Sequence, residues 1–257
     1  MKKILLLLFI ALMPLLAIVD IAPQEVGERP GFSGNIAGSY TGKSGNTQKN
    51  EYDFSGKIEY DNESNFLTFL QGSYELTESK GVKIEDQKFF HFRFLHKLNN
   101  ESLYGEIFSQ YKQDIFKDID NRWLNGANIR WRFVDSSELG KLYLGAGILL
   151  ENIQYVNSPN DPAGTAVQPD ENSLRVNSYM AYKHNLNPST KLSMIGYYQP
   201  SLEQGSDYYA SFTAELELRI IKEIYLSLIY RHEYDSKPAI SVEKRDTMTK
   251  TSIVWKF

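Results

Sequence analysis

The chain contains no cysteine, which excludes disulfides and thiolate metal ligands. It has no interior apolar run long enough for a membrane helix, which needs about 20 residues. Neither sign of charge dominates: 28 Lys and Arg stand against 32 Asp and Glu, a net charge of −4. A balance that mild does not point to nucleic acid, and no nucleic-acid partner is expected. There are only four histidines, His91, His96, His184 and His232. They form neither an H-E-x-x-H pair nor another close ligand set, so no metal or cofactor is expected. A G-x-S-x-G nucleophile turn is also missing. Mean hydropathy is −0.41, which would ordinarily mean a water-soluble chain. Transmembrane β-strands escape that test, because polar residues occupy every second position.

What is present starts at the C-terminus. Thr249, Thr251, Ile253, Trp255 and Phe257 fall on one face of an extended strand, with Lys250, Ser252, Val254 and Lys256 on the other. A strand that ends on an exposed aromatic, with lysines on its opposite face, suits lipid on one side and a polar interior on the other. The N-terminus points to export. Lys2 and Lys3 precede an apolar run from Ile4 to Leu16, closed by Ala17, the layout of a secretory signal peptide. The organisation expected is a signal peptide at 1–17, an extended periplasmic leader at 18–30 and a barrel at 31–257.

From Gly31 onward, turn-rich segments divide the chain into about twelve alternating stretches, an even number as in bacterial barrels. The cleanest puts Tyr52, Phe54, Gly56, Ile58 and Tyr60 against Glu51, Asp53, Ser55, Lys57 and Glu59. No helix sorts those sets onto two faces, because its period is near 3.6. The stretch from Phe66 to Tyr74 leaves its faces open, with Leu67 and Phe69 opposite Leu70 and Tyr74. Tight connections are expected at 61–64, 99–101, 187–190 and 222–223, with a slightly longer one at 135–140. Longer links are expected at 78–87, 157–172 and 235–246. The expected fold is all-β: a closed, antiparallel, up-and-down transmembrane barrel with both termini periplasmic.

A charge facing lipid near the midplane would cost ~2–4 kcal/mol. The inward, lumen-lining set is therefore read as Glu51, Asp53, Lys57, Arg93, Glu106, Arg122, Arg130, Arg132, Arg175, Lys183, Glu215, Glu217, Arg219, Arg231 and Glu233. Bulky residues share that face, among them Phe69, Tyr104, Phe108, Tyr143, Tyr179, Tyr197 and Tyr225. Outward aromatics cluster at strand ends, where amphipathic rings sit at the headgroups. The membrane-interface set is Tyr40, Tyr52, Tyr60, Trp123, Trp131, Trp255 and Phe257.

The segment from Gly38 to Thr47, with its small-residue strand running into Ser44-Gly45-Asn46-Thr47, resembles the opening hairpin of a domain-of-unknown-function family of salt-induced outer-membrane β-barrel proteins. Asp120-Asn121-Arg122 and Leu144-Gly145-Ala146-Gly147 agree with it. The resemblance implies location and fold, and no catalytic residues. Two functional readings follow. One is a passive channel or small-solute pore with a mixed-charge lumen. The other is a filled barrel with a structural or osmotic-stress role and no transport.

No enzymatic activity is expected, and a lipid hydrolase using His91 is a distant third. Glu215 and Glu217, ~7 Å apart along one strand face, fit a lumen ion pair with Arg219 or Arg231 better than a glycosidase pair. Asn160, Asp161, Asp170 and Glu171 read as a solvated acidic loop rather than a calcium site. The partners expected are the lipid bilayer and, through the C-terminal strand, the barrel-assembly machinery. Oligomeric state is left open.

Overall fold

The computed structural model describes residues 23–44, 48–98, 102–157, 167–240 and 242–257. The signal segment, the start of the leader, the 99–101 connection, Gly45-Asn46-Thr47, and Asn160 with Asp161 lie outside the described residues.

Alternation produces twelve strands: β1 (Gly31–Lys43), β2 (Lys49–Asp61), β3 (Phe66–Ser79), β4 (Val82–Lys97), β5 (Leu103–Asp114), β6 (Ile119–Ser136), β7 (Gly140–Tyr155), β8 (Glu171–Asn187), β9 (Thr190–Pro200), β10 (Tyr208–Ile221), β11 (Ile224–Asp235) and β12 (Arg245–Lys256). Each pairs antiparallel with its sequence neighbours, and β1 meets β12, so the sheet closes. Closure leaves few backbone groups without partners, which hydrocarbon demands. The strands run 11 to 18 residues. A tilted strand crosses a bilayer in about 9–11, so the longest project beyond it.

Both ends of the barrel wall lie together at what we call the terminal end. There Gly34 and Phe257 exchange backbone bonds of 2.9 and 3.1 Å. The connections at that end are short, for example between β10 and β11, where Lys222 turns the chain at φ 43°. At the opposite, loop end, one expectation fails. The link placed at 78–87 is mostly strand: β3 and β4 are joined by Lys80-Gly81 alone. Both residues have positive φ, 52° and 76°, the geometry of a tight hairpin turn. The turn signal in that stretch is a single glycine, and Ile84 and Asp86 continue the alternation around it.

The outer surface is apolar where a soluble protein would be polar. Phe54, Ile58, Leu70, Phe90, Ile107, Ile129, Ile148, Leu150 and Met180 are all exposed. A water-soluble monomer rarely shows a contiguous apolar patch beyond about 300–600 Å²; here the belt passes round the barrel. Aromatics bound it on both sides. At the loop end Tyr40 packs on Tyr52 (5.1 Å), Tyr111 on Trp123 (4.9 Å), and Tyr208 on both Tyr198 and Tyr234 (5.6 and 5.4 Å). At the terminal end Tyr60 touches Phe32 and Phe66 (4.9 and 6.0 Å), Trp131 touches Phe133 (4.9 Å), and Trp255 touches Phe257 (5.0 Å). Some outward polar groups inside the belt are paired: Ser109 with Asn125 (2.8 Å), Ser178 with the Tyr198 carbonyl (2.8 Å).

Midway between these rings, Ile148 faces outward, 55 % exposed. Ile148→Arg should lower stability in phospholipid vesicles by about 2–4 kcal/mol, against about 0–1 for Thr190→Arg at the rim. Denaturant titration of the reconstituted protein measures both; equal costs would contradict a lipid-facing belt.

Candidate functional site

Charged groups gather in the barrel interior, behind the apolar wall, and this interior divides into two regions. Toward the terminal end it is filled. Leu67, Phe69, Leu95 and Tyr104 pack around Val26, so β3 turns Leu67 and Phe69 inward and Leu70 outward. Residues 23–30 of the leader, expected to be extended, instead turn back into this mouth, where Glu25 and Val26 are buried. Its turn is marked by Gly27 at φ 87° and by Glu28 N–H bonding to the Glu25 carbonyl (3.3 Å). The Asp61 carboxylate accepts from the backbone N–H groups of Gly27 (2.8 Å) and Arg29 (3.2 Å).

Glu25 is the anchor of this segment. Buried at 4 % exposure, it lies 2.9 Å from Arg132, 2.5 Å from Lys141 and 3.6 Å from Lys183. Burial alone would raise its pKa, but Lys183, Lys141 and Arg132 outweigh that and lower it to about 2. Lys183 also holds Glu28 (2.5 Å). Beside them Arg130, 2 % exposed, donates to the Gln24 carbonyl (2.7 Å) and lies between the rings of Tyr104 and Tyr143 (5.0 and 5.2 Å).

Glycine makes the filling possible. A Cβ on Gly145 would sit 2.1 Å from the Tyr179 ring, so only glycine lets that ring lie against the wall. Tyr179 then donates to Glu106 (2.7 Å). Glu106 also accepts from Asn128 (3.3 Å), lies 3.3 Å from Arg130 and stands 4.0 Å from Arg93, which reaches Tyr197 (3.4 Å). Asn177 bonds Asn128 (3.1 Å), and Gln199 bonds Asn177 (2.8 Å). The network thus ties β5, β6, β8 and β9 across the interior.

Toward the loop end the interior is hollow. A cavity of about 650 Å³ runs from Pro23 and Gln24 to Pro238, Ala239 and Val242 beyond β11. Its lining includes Lys57, Arg93, Lys112, Lys117, Arg122, Arg130, Arg231, Lys244 and Arg245, against Glu75, Glu233, Asp235, Glu243 and Asp246. Several partnering acids stand behind the surface. Glu151, 4 % exposed, is held by both Arg122 and Arg175, and Arg175 also forks onto Asp207 (2.9 and 3.0 Å). At the rim, Lys117 pairs with Asp246 and lies 4.0 Å from Glu233; these acids raise its pKa against the opposing effect of burial.

The remaining residues of the sequence-derived set are spread along the wall. Glu51 pairs with Lys49. Asp53 accepts from Ser39 (3.0 Å) and Lys250 (3.3 Å). Lys57 pairs with Glu59 (2.7 Å) over the Phe69 ring. Glu217 pairs with Lys256 (2.5 Å) and Glu215 accepts from Ser227, so the expected partners Arg219 and Arg231 are not the ones used. Arg219 is exposed at the terminal rim and donates to Tyr225 (3.1 Å). In the acidic loop, Asp170 accepts from the Tyr155 N–H and Glu171 pairs with Lys237 (3.2 Å). Among the described residues, no cluster of three metal-ligating side chains occurs. His91 sits among Phe69, Phe89 and Phe108.

Sequence reasoning missed Glu25, Glu28, Asp61, Lys141, Glu151 and Asp207. The alternation rule places Lys141 and Glu151 on the inner face; nothing in the chain marks Glu25 or Asp207, which act from outside the strands.

The fold and its interior define a closed β-barrel with a polar, half-filled lumen. A family model described as "Protein of unknown function, DUF481" matches residues 36–257, and the chain belongs to that family. The description makes no mention of salt induction. No curated protein matches the chain. Among solved structures, an outer membrane channel from Pseudomonas putida F1 shares 10 % identity at TM-score 0.49, covering 94 % of this chain and 100 % of its own. The NanC porin shares 11 % at TM-score 0.46, covering 87 % and 97 %. The translocator domain of the autotransporter NalP from Neisseria meningitidis shares 8 % at TM-score 0.47, covering 88 % and 86 %. None of these likenesses bears on function.

Glu106 is the acid on which Arg130, Arg93 and Tyr179 converge. Glu106→Gln leaves a buried guanidinium uncompensated and should cost about 3–5 kcal/mol. Unfolding in vesicles checks this; a loss below about 1 kcal/mol would mean that water screens the pair.

Proposed function

We propose that the protein is an outer-membrane channel for small solutes, held closed at its periplasmic end by its own N-terminal segment. The observation that carries this reading is the cavity of about 650 Å³, continuous from the loop end down to Pro23 and Gln24. Twelve strands lie between the eight that side chains fill and the sixteen that leave an open channel, so a part-filled lumen is the geometry expected of this size. Nine basic against five acidic residues line the cavity, with Glu106 and Glu151 set behind arginines. That arrangement favours small anions at close range.

In this reading the short-turn end, with both ends of the barrel wall, is periplasmic, and the aromatic pairs sit at the two headgroup layers. Residues 1–17 act as the signal peptide. The C-terminal strand, ending on Phe257, is the segment presented to the assembly machinery. A filled barrel with a structural or salt-stress role is the second reading. Tyr104 and Tyr143, 1 % and 0 % exposed beside Arg130, favour it.

Glu25→Gln removes the charge that three cations hold, and should raise single-channel conductance in planar bilayers, with reversal potentials favouring anions. The wild-type segment should loosen as pH falls. A carboxylate lowered from 4.5 to about 2 stabilises docking above pH 4.5 and loses that contribution progressively down to about 2. If wild type, Glu25→Gln and a chain lacking residues 18–30 are all electrically silent, the channel reading falls and the filled barrel stands.

A further inference from the structure

Eleven of the twelve strand interfaces are long ladders, and one is not. β1 meets β12 through Asn35 with Lys256, Ile36 with Trp255 and Ala37 with Val254 only, above the Gly34–Phe257 exchange. Past Ala37, the ladder of β1 continues with β2 and that of β12 with β11. Among the described residues, no backbone pairing joins Gly38–Lys43 to Arg245–Ile253. The break lies in the half of the belt toward the loop end, because Trp255 belongs to the terminal ring and Tyr40 to the loop ring. Facing edges without partners are unfavourable in hydrocarbon, and barrels ordinarily abolish them.

Side chains close this seam from within. Lys250, 3 % exposed, crosses from β12 to Asp53 of β2 (3.3 Å) and Glu75 of β3 (2.7 Å), and Ser39 of β1 donates to Asp53 (3.0 Å). Next to Lys250 along the inner face, the Ser252 hydroxyl is buried and has no hydrogen-bond partner among the described residues. Outside, β1 presents Gly38 and β12 presents Thr249 and Thr251 at this level, small or polar side chains that offer lipid little apolar surface.

We propose that the β1–β12 seam is a lateral portal between the lumen and the surrounding lipid. Its cargo is an amphiphile, with the hydrogen-bonding head passing Ser39 and Ser252 and the apolar tail remaining in the bilayer. The Lys250–Asp53 bridge is its latch. The proposal rests on the barrel spanning a membrane, and adds to the axial channel a second opening that does not require the N-terminal segment to move.

The absence of native cysteine makes the test direct. Single-cysteine variants reconstituted in phosphatidylcholine vesicles are exposed to a maleimide carried on a phospholipid acyl chain. Ile148→Cys, on the lipid face, should be labelled, and Ala181→Cys, inward and far from the seam, should not. Ser252→Cys, also inward, should be labelled, and several-fold faster with Asp53→Asn. If Ile148→Cys is not labelled, the membrane reading fails and the portal with it. If Ile148→Cys is labelled but Ser252→Cys is as inert as Ala181→Cys, the portal alone is overturned, and an unchanged rate with Asp53→Asn overturns the latch.

A disulfide pair supplies the second measurement. Continuing the register would oppose Ser39 and Ser252, as Ala37 and Val254 are opposed. The Ala37→Cys, Val254→Cys pair should oxidise readily in the folded barrel, and the Ser39→Cys, Ser252→Cys pair slowly or not at all. Equal oxidation means a zipped seam and overturns the portal. Disulfide-linked dimers from the second pair also overturn it, making these edges an interface between copies.

Discussion

Hydrocarbon offers no hydrogen bonds, so a chain crossing it must satisfy its backbone internally. Almost everything in this protein follows from that one constraint. A sheet meets it only by closing, and a closed sheet sends alternate side chains to lipid and to the interior. The outer face is then kept free of formal charge between the aromatic rings, and polar groups such as Ser109 and Ser178 bond to near neighbours there. The inner face collects the ionic residues in return, and these must be neutralised in a narrow space.

Neutralisation is not uniform along the axis. Near the terminal end the charges are buried with aromatics: Arg130 between Tyr104 and Tyr143, and Glu106 under Tyr179. Gly145 is what allows the ring of Tyr179 to lie flat there. On this level the strands bring Asp135 to Arg132 and Lys141 (3.2 and 3.7 Å), one acid beside three cations with Lys183. Further negative charge comes from Glu25 and Glu28 of the preceding segment. Toward the loop end, acids such as Glu151 lie behind their arginines, and the space in front remains open.

Much of the architecture is legible in the chain. Tyr52 to Tyr60 against Glu51 to Glu59 permits only a strand, and the closing strand from Thr249 to Phe257 marks the kind of barrel. The Gly-rich opening and Leu144-Gly145-Ala146-Gly147 point to the family that the match over 36–257 establishes. Where alternation is weak, reading fails for physical reasons. Phe66, Leu70 and Tyr74 on one face nearly balance Leu67 and Phe69 on the other, and only packing against Val26 and Tyr104 decides that Leu67 and Phe69 turn inward. The β3–β4 turn needs just two residues with positive φ, and two residues leave little compositional trace.

The amino-acid sequence by itself determined the period of the strands, their number, the face taken wherever alternation is strong, and the family. These depend on neighbours along the chain, two residues apart, and so are written locally. The tertiary structure alone decided which charge meets which: Glu217 with Lys256 rather than Arg219, Lys250 with Asp53 and Glu75, Glu25 with three cations on β6, β7 and β8. Such pairs join strands that can lie at opposite ends of the chain yet close together round the wall, and their choice follows from the register and the width of the closed barrel. A linear pattern of alternation carries neither quantity.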